Sequence, residues 1–493
     1  MPGGRRREEL ISARKVAGFT QESLADVLKV DRSTVARWEA GDYLPLPYLW
    51  PKLANVLGRS RDELQTLIGP IAVTQESSLD DEFEPLFAWL DRHAGWPLGK
   101  ARERVHAILP ASPRSRPSLP RSVIADALAG YYTPSTGDHQ PYTARCGQVE
   151  VNTSVLTRPA WLDLACPLTI EGDHIAFAGG GARPPMSVDE RAAVRRLAEA
   201  ATSGVRIADV PLYRLLEVDS QPGVLRGKVG IASFVEYALG VDLLERELFE
   251  QLASGRAARP GCMPLRDREL PDVAAVLDLP ERLCAGGVLA LTAIARPADP
   301  FRGDADFVLL VQKRSARVVN AAGRLSVIPK SFHGPLADRR ADSRIGLTLR
   351  RELEEELFGR TDVDRSAGDR RVADPMHPTR LSAPMRWLAE QPSRLRMECT
   401  GFGFNLVSGN YEFASLVVIE DEEFWPRFGG DVEANWEAAG LRQYSTLDGD
   451  LGTELIGDET WSNEGLFAFL QGLRRLAEIG GDRVRTPAVE LGF

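Results

Sequence analysis

The chain reads as a multidomain protein with an all-α module at its N-terminus, an α+β middle domain and an α/β/α sandwich at its C-terminus. Three observations predict this. Residues 20–41 carry apolar residues at helical spacing on either side of a tight turn. Two polar stretches, 70–82 and the Pro/Ser/Arg-rich 110–122, interrupt the globular pattern. From 286 onward, three strand-like runs are followed by a helix, a hairpin and a closing helix, the order of a layered α/β domain. A length of 493 residues suits about three domains, and 43% hydrophobic residues supply several cores. The expected boundaries are 1–69, a helical linker region over 70–122, 123–285 and 286–493.

In the first module, Thr20 can cap a helix whose apolar face is Leu24, Val27 and Leu28. The small Ala25 permits close helix approach. Lys29 and Val30 fall in the turn, and Asp31 can cap a second helix that buries Val35 and Trp38. Arg32, Ser33, Thr34 and Arg37 then face outward. Arg donates bidentate hydrogen bonds to guanine edges, and Ser and Thr bond to bases or phosphate. The segment 5–68, with its flanking helices LWPKLANVL and SRDELQTLI, resembles the lambda-repressor-like, Xre-type helix-turn-helix family. That resemblance implies double-stranded operator DNA as partner, with Gln21, Arg32, Ser33 and Arg37 at contact positions. It also implies a homodimer on palindromic half-sites and a buried structural pair, Arg14 with Glu39.

The net charge of −10 looks wrong for a DNA binder, but it is unevenly spread. Residues 1–69 hold 11 Lys and Arg against nine Asp and Glu, so the acidic remainder confines DNA contact to the first module. Arg5, Arg6 and Arg7 can reach phosphates or form a solvated tail. Five cysteines (146, 166, 262, 284 and 399) and six histidines show no zinc spacing, which predicts reduced thiols, no structural zinc and a cytoplasmic protein. No apolar run approaches the ~20 residues that span a membrane.

Residues 83–109 predict two helices broken at Gly95-Trp96-Pro97, either a hairpin covering the next domain or a dimer element. In the middle domain, GQVEVNTSVLT and DHIAFAGG read as strands. The helix over 187–204 has a Ser187 cap and a Gly204 stop, and another is interrupted at Gly240. Gly179-Gly180-Gly181 reads as a turn.

The helix over 343–357 carries the chemistry. Ile345, Leu349, Leu353 and Leu357 form a buried stripe. At about 100° per residue, Glu352, Glu355 and Glu356 share one arc beside it, while Glu354 falls opposite, toward solvent. Oxygen clusters of this kind suit Mg²⁺ or Mn²⁺, which would make Mg²⁺ the candidate cofactor. The order strand–strand–loop–helix with Arg351-Glu352-Leu353-Glu354-Glu355-Glu356 resembles the Nudix fold and its REUxEE core over about 286–480. The resemblance implies metal-binding or catalytic roles for Glu352, Glu355 and Glu356, with Arg351 orienting them. The chain departs from the family at Ala337 and Ser343, where a glycine and a glutamate are expected, and at Phe358, which displaces the closing glycine to Gly359. SVIPKSFHGP replaces the usual Gly-Gly turn. Lys330, Arg314 and His333 lie at strand ends that lead into the helix and can meet phosphates.

These resemblances together imply a bacterial transcription regulator whose degenerate Nudix-like domain binds a nucleotide-derived ligand without hydrolysing it. The alternatives are an Mg²⁺-dependent pyrophosphohydrolase fused to a DNA-binding module, and an antitoxin-like or defence-associated autoregulator.

Overall fold

The computed structural model describes residues 7–28, 30, 32–40, 45, 49–59, 63–64, 75–111, 118–133, 137–179, 188–358, 376–432, 434–435, 437–449 and 451–492; for a few of these within helices, only the backbone is described. The chain divides into two compact units, Met1–Glu84 and Pro85–Phe493.

In the first unit, α1 spans Glu8–Val16, α2 Gln21–Leu28, α3 Arg32–Ala40 and α4 Leu49–Leu57. Thr20 caps α2 reciprocally: the Ser23 amide donates to Thr20 Oγ1 at 3.0 Å, and the Thr20 amide donates to Ser23 Oγ at 2.8 Å. This satisfies amides that the first helical turn leaves without partners. Leu24, Ala25 and Leu28 join Leu10, Val35, Trp38, Leu53 and Leu64 in one core. Val27, expected inside, is 41% exposed. The buried arc of α2 is centred between Leu24 and Ala25, and Val27 lies about 100° away from that centre. Of the SRDELQTLI segment only Glu63 and Leu64 are described, both helical. Asp31 lies outside the described residues.

The expected linker over 70–82 is helical from Gln75 on, within α5, Gln75–His93; residues 70–74 lie outside the described residues. Helix α6 spans Lys100–Ile108. The turn between α5 and α6 is held by Asp91, whose carboxylate accepts from the amides of Gly99 at 2.6 Å and Ala101 at 2.7 Å. α6 packs on the later helix α8, Glu190–Ser203. Between them lies α7, Arg121–Tyr131. α8 is capped by Asp189, which accepts from the Ala192 amide at 2.8 Å, in place of the expected Ser187, which lies outside the described residues. It ends at Gly204 with φ 67°, a conformation glycine adopts without steric cost. Of the glycine triplet only Gly179 is described, at φ 89°.

The strands are β1 Gln140–Cys146, β2 Val149–Thr157, β3 Leu162–Pro167, β4 Asp173–Phe177, β5 Pro211–Val218, β6 Leu225–Ser233 and β7 Gly286–Arg296. They continue as β8 Asp306–Arg314, β9 Leu325–Val327, β10 Lys330–Phe332, β11 Leu395–Asn405, β12 Asn410–Ile419, β13 Ala438–Ser445 and β14 Val489–Leu491. Among the described residues β4, β6 and β5 form a small sheet, and the other eleven form one large mixed sheet with the central order β13-β8-β7-β12-β11-β2-β1-β14. β7 and β12 run parallel, and β11–β12 is the expected hairpin.

This topology corrects the expected boundary at 285/286. β2 pairs with β11 through Phe404 and Leu156, and β3 pairs with β11 through Cys399 and Cys166. The region assigned to a separate middle domain therefore covers the edge of the C-terminal sheet, an edge that would otherwise expose unpaired backbone groups. Long-range strand pairing leaves no local mark, so the composition shift near 286 looked like a domain boundary.

The closing helix, Asn463–Ile479, packs Leu466, Phe467, Leu470 and Leu473 against Leu289, Leu291, Leu309 and Leu416 on one face of the sheet. It approaches so closely that a Cβ on Gly472 would lie 2.8 Å from Leu291 Cβ. The acidic helix spans Ile345–Glu352 and continues as a π-helical turn, Leu353–Leu357. Its stripe of Ile345, Leu349, Leu353 and Leu357 is buried, and the helix contacts β7 and β10.

Candidate nucleic-acid interface and ligand pocket

In the first unit, Arg14 and Glu39 form a buried bidentate pair: Nε to Oε1 at 2.6 Å and Nη2 to Oε2 at 3.2 Å. Arg14 Nη1 also donates to the Phe19 carbonyl at 2.7 Å, so one side chain ties α1, the α1–α2 turn and the end of α3. Gln21 donates to Glu39 Oε2 at 2.6 Å. One end of its side-chain amide thus braces the pair. Arg7 donates to the Trp38 carbonyl at 2.6 Å, a structural use; Arg5 and Arg6 lie outside the described residues. Arg32 is exposed and Thr34 half-buried on α3. The side chains of Ser33 and Arg37 lie outside what is described, while their backbones are helical.

In the second unit, a cavity of about 340 Å³ lies between β10 and the segment after it, the acidic helix, residues 206–212 and Phe234. Arg314, Lys330, Arg351, Glu352 and Glu355 all line it. His333 does not: it is buried, with Nδ1 3.1 Å from Tyr411 Oη, and burial followed by the Arg351 charge pushes its pKa down to about 3. It is neutral and belongs to the core.

The carboxylates of the acidic helix diverge. Arg351 donates to Glu352 Oε1 from Nε at 3.1 Å and Nη2 at 3.0 Å. Glu356 accepts from the Lys330 amide at 2.9 Å and Gln312 Nε2 at 3.3 Å. Burial, then the charges of Glu437 and Glu352, raise the Glu356 carboxyl well above its ordinary range. Glu354, expected in solvent, is buried and accepts from Ser382 Oγ at 2.6 Å and the Ser382 amide at 2.5 Å. A helical wheel cannot register that Ser382, the cap of helix Ala383–Glu390, covers this face. Ser343, where the family resemblance expects a glutamate, donates to the Ile175 carbonyl at 3.1 Å and is buried. Among the described residues no three His, Cys, Asp or Glu side chains converge as a metal site. The donor set does not fit Mg²⁺: Glu352 and Glu356 are engaged by protein donors, and Ser343 brings no charge.

Sequence reasoning missed the buried network behind the cavity. Lys330 Nζ pairs with Glu464 and donates to Asn320 Oδ1 at 3.2 Å, and Asn405 donates to Glu464 Oε2 at 3.0 Å. Arg314 pairs with Glu437 at 3.3 Å. Glu412 is 3% exposed on β12, where burial followed by the Glu464 charge pushes its pKa up to about 8, against the pull of Lys330 and Arg314. A lone carboxylate inside the apolar run NYEFASLVVI was the available signal. Between the unfolded value near 4.3 and about 8, the folded chain holds a proton that the unfolded chain has released, so this group's contribution to stability falls as pH rises through that window. Glu412→Gln should remove that slope. Thermal midpoints at pH 5 and pH 8 check it: the variant gains on the native protein as pH rises, and parallel midpoints would count against the assignment.

Residues 10–64 match the family model described as Helix-turn-helix. No curated protein matches the chain. The match supports a DNA-binding transcription regulator and lies within the first unit. Among the described residues no helix is long and apolar enough to cross a membrane.

Proposed function

We propose that this chain is a bacterial, sequence-specific transcription regulator that binds a palindromic operator as a homodimer. Its C-terminal unit, Nudix-like in strand and helix order, senses a nucleotide-derived small molecule without hydrolysing it. The DNA-binding half rests on the helix-turn-helix match and on α3 presenting Arg32. The observation that carries the sensing half is a cavity whose neighbouring carboxylates, Glu352 and Glu356, are already held by protein donors. A ligand that prefers one conformation shifts its population, and so changes operator affinity.

Selection of operator DNA from random sequence, followed by titration with and without nucleotides, tests this reading. A ligand that shifts operator affinity by about 5–150-fold is the expected result. Incubation with Mg²⁺ and nucleoside diphosphate derivatives should yield no products by mass spectrometry. Turnover that disappears in the double variant Glu355→Gln/Glu356→Gln would replace sensing with catalysis. Arg37→Ala should weaken operator binding by about 1–3 kcal/mol and relax specificity at one base pair, as loss of a bidentate guanine contact does. An unchanged binding isotherm on the selected operator would refute that role.

A further inference from the structure

The cavity beside Arg351 holds cations, but each buried one is already matched. Arg351 faces Glu352 at 3.0 Å, Arg314 faces Glu437 at 3.3 Å, and Lys330 is paired with Glu464. Glu352, Glu355 and Glu437 also line the cavity. A phosphate chain would bring further negative charge beside three carboxylates, where the buried cations already face carboxylates; the fourth cation of the lining, Arg206, is exposed and its charge is screened by solvent.

Much of the remaining lining is apolar. Val210, Leu212, Phe234, Val318, Phe332 and Leu336 belong to it, and the rings of Phe234 and Phe332 meet edge to face at 5.3 Å. Flat rings pack well against such a wall.

A recess of about 20 Å³ shares Arg314, Asn320 and Lys330 with the cavity and adds Asn410 and Glu412. It has room for about one water-sized group. Arg314 Nε and Asn410 Oδ1 are buried there without hydrogen-bond partners. One is a donor and the other an acceptor, so a ligand that carries both a carbonyl and an N–H can satisfy the two. Buried polar groups of this kind select ligands that satisfy them.

We infer that the cavity takes an uncharged, nucleoside-like heterocycle, with its ring on the Phe234–Phe332 wall and a lactam edge toward Arg314 and Asn410, and that it disfavours the phosphorylated forms of the same compound. This rests on the proposal that the cavity is the sensor site, and it narrows the ligand class.

Isothermal titration of the full chain with uridine, inosine and guanosine, each alongside its 5′-diphosphate, tests the inference. Adenosine and cytidine, which lack a ring N–H beside a carbonyl, serve as comparators. Each lactam nucleoside should bind at least tenfold more tightly than its diphosphate and than the comparators. Phe234→Ala, at a half-buried position, should weaken nucleoside binding at least tenfold. Glu437→Gln, which removes the carboxylate facing Arg314, should raise diphosphate affinity about tenfold. Diphosphates binding more tightly than nucleosides would overturn the inference and leave the sensor reading standing. Binding by neither series at millimolar concentration would overturn both. Nucleoside binding indifferent to Phe234→Ala would overturn the placement on this wall.

Discussion

Arg14→Ala will destabilise the first unit by about 3–5 kcal/mol, because Glu39 is left as a buried charge without its cationic partner. A helical module of this size has few kilocalories to lose. Small domains bury a smaller share of their surface, and net stabilities start near 5 kcal/mol. Arg14 also supplies the bond to the Phe19 carbonyl, so its loss loosens the turn into α2. Gln21 would keep one oxygen of Glu39 satisfied, which moderates the effect without supplying charge. Amide hydrogen exchange on the full chain reads the outcome by region. Protection within α1–α4 should collapse while that of β7 and β12 holds, and operator binding should be lost with it. The double variant Arg14→Ala/Glu39→Ala should recover part of the loss, since neither charge then remains buried alone. Native-like protection of α1–α4 in Arg14→Ala would mean that the pair contributes little.

Local patterns were readable from the chain wherever one element decides the outcome. The stripe of Ile345, Leu349, Leu353 and Leu357 and the hairpin of β11 with β12 follow from periodicity and a turn, and both are present. What periodicity could not carry was long-range pairing. Nothing near Leu156 signals that it lies opposite Phe404, so the sequence of one continuous sheet reads as two domains. The same limit applies to the acidic helix. Its sequence showed four glutamates, but the partners that decide their chemistry come from Gln312, Ser382, and Glu437 with its neighbours, remote in the chain. The cavity is a further case, because its apolar wall comes partly from 206–212 and Phe234, in a region the sequence left without a function. For the DNA-binding unit the local signal was denser, and the family match falls on the same residues.

Lys330→Met will destabilise the second unit by about 3–5 kcal/mol and reverse the pH response of Glu464. In the native chain burial opposes ionisation of Glu464, yet the Lys330 ammonium holds its carboxyl below the ordinary range. A depressed carboxylate contributes stability that is present above the unfolded value near 4.3 and is lost as pH falls through the lower folded value. Without Lys330 the burial cost is unopposed, and the Glu464 pKa moves above the unfolded value. The folded variant then holds a proton that the unfolded chain releases, so its stability falls as pH rises above about 4.3. The deficit of Lys330→Met relative to the native protein should therefore be largest near pH 8 and shrink toward pH 5, as read by thermal midpoint. Adding Glu464→Gln should restore much of the midpoint at pH 8, because the orphaned carboxylate is gone while the amide can still accept from Asn405. A deficit that is constant between pH 5 and pH 8 would show that Lys330 acts through packing and its bond to Asn320 rather than through charge.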